Sequence, residues 1–248
     1  MERAIAVLNT FSFKNPDLTL KEITDKTGLS KPTVFRILST LEPHNYVALD
    51  HSSGRYRLGS RIMELGGVVN SSITLRKVAR PRLTDLQVDT GATVLLGALM
   101  DDELVYIGKR ETDGPIRIAS DVGWRRSPHF GMLGMVLMAY KDRAEVDRLL
   151  AKSPLIPHTR FSILDRDRFL ERLEDVKKCG YLLEFNEAIE GAWGVAAPVR
   201  DAAGTVVAAL GTTLPLVERS DSRIAEVVAA VRKRAAEVSR DMGYREPS

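Results

Sequence analysis

The stretch Thr19-Leu20-Lys21-Glu22-Ile23-Thr24-Asp25-Lys26-Thr27-Gly28-Leu29-Ser30-Lys31-Pro32-Thr33-Val34 constrains this chain more than any other. Thr19 and Glu22 have capping-box spacing, so a helix starts there and runs to about Thr27 with Leu20 and Ile23 inward. Gly28 supplies the left-handed exit that a tight helix end needs. Ser30 reads as the next N-cap, with Pro32 tolerated in the first turn, and this second helix runs to about Glu42. Val34, Ile37, Leu38 and Leu41 share one face. Pro32, Thr33, Arg36, Ser39 and Thr40 fall opposite. That outer face carries hydroxyls and a cation but no carboxylate, a surface that can approach phosphates and base edges.

The flanks extend the pattern. Ala4, Val7, Leu8 and Phe11 recur at helical spacing over residues 2–12. Downstream, residues 46–49 and 55–58 alternate as strands around the turn His51-Ser52-Ser53-Gly54. A helix pair with a glycine turn is common packing, but helix, capped helix, turn, polar-faced helix and hairpin in this order specify a winged helix-turn-helix. Arg55 and Arg57 are two apart on one strand and point to the same side, where both can hold phosphate. The candidate DNA contacts are Ser30, Lys31, Pro32, Thr33, Arg36, Thr40, Arg55, Tyr56 and Arg57. The formal net charge of +3 is uninformative, but no acid falls between Asp25 and Glu42, nor between Ser52 and Ser60.

With 248 residues the chain is long enough for a second domain. Residues 60–72 read as a short linker helix whose end Gly66-Gly67 weakens. Leu75, Val78, Ala79, Leu83 and Leu86 then line a helix over 73–89 that contains Pro81. Strand-like runs follow at 93–100, 104–110, 116–120, 181–185, 194–200 and 205–213. Helices are expected at 131–140 and 143–151, from the cap Asp165 to the stop Gly180, and at 220–241. The expected fold is α+β: a winged helix-turn-helix at 1–59, a linker helix at 60–72, and a domain at 73–248 with a mixed or antiparallel sheet covered by helices.

The segment 19–34, Arg36-Ile37-Leu38-Ser39-Thr40-Leu41, the wing sequence Tyr56-Arg57-Leu58-Gly59 and Leu75-Arg76-Lys77-Val78-Ala79-Arg80-Pro81 resemble the IclR-type bacterial transcriptional regulators, and the resemblance extends to about Gly243. It implies a GAF-like effector-binding domain, pairing into a dimer or dimer of dimers, and double-stranded operator DNA as partner. It also implies a small-molecule pocket where Ser127-Pro128-His129 enters a helix, with Gly134-Met135 in place of the family's Gly-Lys. Carried across by motif, the pocket residues are His129, Glu184, Gly194, Gly211 and Thr213, with Met132 and Leu133 at the helix start and Ile118 and Arg126 nearby; Trp124, Phe130 and Trp193 are candidates for its aromatic walls. Gly194 and Gly211 replace larger side chains, so an enlarged, aromatic-walled cavity is expected, suited to an aromatic or other organic acid or related compound.

Other chemistries find little support. Cys179 is the single cysteine, which excludes an intrachain disulfide or a cysteine-built zinc cage and fits a reducing cytoplasm. His44, His51, His129 and His158 form no metal-ligand spacing. Nucleophile-elbow, phosphate-loop and dinucleotide motifs do not occur, so no cofactor, metal or catalytic residue is expected and the chain does not read as an enzyme. There is no signal-peptide pattern and no apolar run of membrane-spanning length. The competing reading is a small-molecule-binding or catalytic protein whose winged head serves protein–protein contact.

Overall fold

The computed structural model describes residues 1–12, 15–72, 74–111 and 121–245, which fall into two compact units, Met1–Thr74 and Leu75–Ser248. The expected strand at 116–120, and Ile118 with it, lies outside the described residues.

In the first unit, helix α1 (Glu2–Leu8) is shorter than its periodicity suggested, though Phe11 beyond it is still buried. Strand β1 (Asp17–Thr19) leads directly into α2 (Leu20–Thr27). The capping box forms as the spacing predicts: the Thr19 amide donates to Glu22 Oε2 at 2.7 Å and the Glu22 amide to Thr19 Oγ1 at 3.3 Å. Gly28, at φ +68°, turns the chain into α3 (Lys31–Leu41). Strands β2 (Val47–Asp50) and β3 (Arg55–Leu58) follow, then α4 (Ser60–Ser72). The sheet order is β1-β3-β2, which puts β3 in the centre. Val7, Leu18, Ile23, Val34, Leu38, Val47 and Tyr56 join in one core. Burying a side chain of this size contributes about 1.5–3 kcal/mol, so the short helices are held by a shared core rather than by propensity.

The second unit opens with α5 (Thr74–Thr90), with Pro81 inside it. Strands β4 (Thr93–Met100) and β5 (Glu103–Arg110) form a hairpin whose turn residues Asp101 and Asp102 both have positive φ, as a two-residue turn matching strand twist requires. A two-residue strand, β6 (Arg125–Arg126), precedes helices α6 (Gly131–Ala139), α7 (Arg143–Lys152) and α8 (Arg166–Cys179). Strands β7 (Leu182–Phe185), β8 (Ala192–Arg200) and β9 (Val206–Pro215) come next, and α9 (Asp221–Asp241) closes the unit.

Among the described residues the sheet has order β6-β5-β4-β9-β8-β7, antiparallel throughout. Strand alternation divides the core between its faces. Val94, Leu96, Val195, Val199, Ala208 and Leu210 meet α5 and α9 on one side. Leu95, Ala196, Ala209 and Leu182 meet α6, α7 and α8 on the other. Helix α6 is buried at every position from Met132 to Ala139, which is why its sequence shows no polar face.

Candidate functional site

In the first unit the candidate surface is the outer side of α3. Val34 and Leu38 are fully buried, while Lys31, Pro32, Phe35, Arg36, Ser39 and Thr40 are exposed. No carboxylate occurs on this helix before its C-cap, Glu42. The Ser30 hydroxyl meets the Thr33 hydroxyl at 2.9 Å rather than a backbone amide, and the Thr40 hydroxyl donates to the Arg36 carbonyl at 2.9 Å. Lys31 and Arg36 therefore carry the positive charge of this face. Phe35, which the sequence reading passed over because it lies outside the apolar periodicity, is half exposed beside Arg36.

The wing departs from expectation at two residues. Tyr56 is buried in the head core, so its ring cannot reach DNA; between two outward arginines on one strand, the middle residue must point inward. Arg55 reaches back to Glu22 at 3.3–3.4 Å, tying the central strand to the capping box of α2, whereas Arg57 stays exposed. The Thr19 amide and hydroxyl, with Arg55 nearby, hold the Glu22 carboxyl below its ordinary range. At the wing tip, Asp50 accepts from the Ser52 amide at 2.9 Å and from the hydroxyls of Ser52 and Ser53 at 2.7 and 2.6 Å. The turn is thus braced by its own side chains.

In the second unit the expected pocket residues separate into three groups. The first gathers at the start of α6. Gly131 opens the helix at φ +57°, and its N-cap Phe130 makes no side-chain cap hydrogen bond. Glu184, on the α6 face of β7, lies so close that a Cβ on Gly131 would sit 3.8–3.9 Å from its carboxyl oxygens. Burial, reinforced by nearby Glu187 and opposed by Arg172, pushes the Glu184 carboxyl up to about 8. Burial also raises Glu187, again against Arg172. Glu184 Oε2, Glu187 Oε2, Arg126 Nε and Arg172 Nε are all buried without a hydrogen-bond partner among the described residues, whereas native interiors pair the great majority of such groups.

A cavity of about 30 Å³, room for roughly one water, adjoins this group and is lined by His129, Gly131, Met135, His158, Glu187 and Ala188. His129 is buried, and its Nε2 donates to the Pro154 carbonyl at 3.2 Å. Burial holds this imidazole below its ordinary range, and therefore neutral at pH 7. The Arg126 guanidinium lies over the rings of Trp124 (4.7 Å) and Phe130 (5.4 Å), and Phe130 meets His158 edge-on at 4.7 Å. Burial, with the Arg126 charge added, lowers the His158 imidazole too.

The second group fills space instead of lining it. A Cβ on Gly194 would lie 2.7 Å from Met132 Sδ and 2.8 Å from the Thr212 carbonyl. One on Gly211 would lie 2.8 Å from the Val195 carbonyl and 3.2 Å from Leu133 Cδ2. Both glycines thus admit the Met132 and Leu133 side chains of α6 against the sheet, so at these two positions the space of a larger side chain is already filled by α6. Thr213 pairs with Gly194 on this same face.

The third is Trp193, which faces the opposite side. It stacks on Phe185 at 6.3 Å, donates from Nε1 to the Pro215 carbonyl at 3.1 Å, and belongs to the core beneath α9. Consecutive strand residues cannot share a face, so Gly194 and Trp193 could not both line one pocket. Sequence reading missed Glu187, Arg172 and His158. They sit on a loop, on a helix and on another loop, with no common periodicity to mark them.

Comparisons with known proteins agree with this architecture. Residues 1–51 match the IclR helix-turn-helix domain, and residues 68–240 match the bacterial transcriptional regulator IclR C-terminal domain. The chain is 32% identical to the HTH-type transcriptional regulator XynR of Escherichia coli, covering 98% of this chain and 97% of that one. It is also 32% identical to the E. coli HTH-type transcriptional regulator KdgR, covering 92% and 87%. The crystal structure of an IclR transcriptional regulator from Alicyclobacillus acidocaldarius superposes with a TM-score of 0.87 at 30% identity, covering 98% of each chain.

Proposed function

The chain belongs to the IclR family of bacterial transcriptional regulators, and from that premise we propose how its two units divide the work. Its relatives are regulators of transcription rather than enzymes. The head enters the major groove with α3. Lys31 and Arg36 address phosphate and base edges, and the exposed Phe35 ring contacts a thymine methyl. Arg57 holds backbone phosphate, and Arg55 braces the wing against α2. Two chains pair, so that their heads meet successive grooves of a palindromic operator.

The second unit binds an organic acid that also carries hydroxyl groups. The observation that carries this reading is the buried Glu184 carboxyl, its Oε2 without a hydrogen-bond partner among the described residues, beside the glycine-opened start of α6. The free amides of that first turn suit a carboxylate. Glu184 and Glu187 suit hydroxyl donors, which would relieve two buried acceptors at once. Trp124 and Phe130 offer the same site an aromatic wall, compatible with an aromatic acid. The effector shifts operator affinity only to the extent that it binds one arrangement of the heads better than another.

The experiment is a gel shift on the upstream intergenic duplex, followed by titration with acids in matched pairs, with and without hydroxyls. Release by the hydroxylated member, lost in Glu184→Ala, is expected. Release by both members alike, or unaffected by the substitution, overturns the assignment of Glu184.

A further inference from the structure

A second cavity of the effector unit lies at the other end of α6 from Gly131. Its volume is about 1120 Å³, and it is bounded by the last turn of α8, by β8 and by α9. Tyr140, the C-cap of α6, forms part of its wall. Lys177, Lys178, Arg200, Arg232, Lys233 and Arg240 converge on it, and no Asp or Glu lines it among the described residues.

Several cations elsewhere on the unit are paired. Arg82, Arg125, Arg148, Arg223 and Arg234 each hold a carboxylate. Within the cleft Lys177 and Lys178 reach Glu174 and Asp175 at 2.7 and 3.8 Å. Arg232, Lys233 and Arg240 have no carboxylate within 4.0 Å among the described residues. Small residues form the floor, including Ala197, Pro198, Ala235 and Ser239. Arg200 is fixed in advance: its guanidinium lies over the rings of Tyr140 at 4.6 Å and Tyr244 at 5.8 Å, and Nη1 donates to the Gly204 carbonyl at 2.8 Å.

Concentrating like charges over a small-residue floor is unfavourable unless an anion joins them. The number of cations exceeds what one carboxylate can engage. Phosphate brings close to two charges and three strong acceptor oxygens, and it is the group that arginine forks and lysine point charges share. The concave form, walled on three sides and near the upper end of small-ligand pockets, suits a compact molecule better than a duplex. We propose that this cleft binds a phosphorylated small molecule through a di- or triphosphate group, at a site separate from the one at the start of α6.

Cys179 gives the proposal a local reporter, because the chain's single cysteine is exposed at the rim of this cleft. The full-length protein is labelled with a thiol-reactive dye in the presence of increasing inorganic tripolyphosphate, at about 150 mM salt to suppress weak surface attraction. Saturable protection of Cys179 is expected, with matching heat in a calorimetric titration. The triple variant Arg232→Ala/Lys233→Ala/Arg240→Ala should bind about tenfold more weakly or worse, since three charge-assisted contacts are removed. Arg148→Ala, outside the cleft, should bind as the native chain does. Absence of saturable protection overturns the proposal, as does equal affinity in the triple variant. Protection by a DNA duplex but not by tripolyphosphate would assign the cleft to nucleic acid and overturn it too. So would a triple variant whose sedimentation changes while no tripolyphosphate binds, which would make the cleft a contact between copies.

Discussion

The buried Glu184 carboxyl makes the stability of the effector unit depend on pH in a calculable way. Its ordinary value is 4.5 and burial pushes it up to about 8. Between these values the folded unit retains a proton that the unfolded chain has released. The contribution of the protonated carboxyl is fully present below about 4.5 and is lost as pH rises through about 8. One pKa unit corresponds to about 1.4 kcal/mol, so the loss amounts to roughly 3 kcal/mol by pH 7 and roughly 5 kcal/mol across the window. Glutamine cannot ionise, so Glu184→Gln removes this dependence. Trp124 and Trp193 are the only two tryptophans and both lie in the second unit, so their fluorescence in urea follows that unit alone. Unfolding free energies are compared between about pH 5 and pH 8. The variant should gain on the native chain by about 1.4 kcal/mol for each pH unit. To first order the other titrating groups, Glu187, His129 and His158 among them, cancel in that difference. Parallel curves for the two proteins would refute the reasoning, because they would mean that Glu184 ionises in the folded unit as it does in water.

Four further outcomes follow from the same geometry. Arg36→Ala should cost about 1–3 kcal/mol of operator affinity and little on unrelated duplexes, measured by competition gel shift; an equal loss on both would make Arg36 a phosphate contact. Arg57→Ala should lower the slope of log affinity against log salt by about one, and Arg55→Ala by clearly less, because Glu22 already holds Arg55; equal slopes would remove that distinction. Tyr56→Ala should cost the head about 3–5 kcal/mol, abolishing DNA binding while tryptophan-detected unfolding of the second unit stays put, and Tyr56→Phe should retain binding. Gly194→Ala should destabilise the second unit by about 1–3 kcal/mol in a thermal melt, since the Thr212 carbonyl 2.8 Å from the new Cβ is backbone and cannot step aside; an unchanged melt would show that Met132 and the strand relax freely.

The sequence by itself determined the local elements. A capping box, a glycine exit and a helical apolar stripe depend on residues a few positions apart, and each appears where the spacing placed it: Thr19 with Glu22, Gly28 at the turn, Val34 and Leu38 inward. Motif likeness likewise identified the family and its two-part fold. Tertiary structure alone decided how distant segments use their side chains. Tyr56 was legible as a strand residue, but β1 pairing on the far side of β3 made that strand central and its inward residue part of the core. Arg55 found Glu22 across 33 positions of chain. Gly194 and Gly211 became seats for Met132 and Leu133, while Glu184, Glu187, Arg172 and His158 were assembled from separate elements around the start of α6. Burial and partnership are properties of three-dimensional neighbours, and a period of 2 or 3.6 residues carries no record of them.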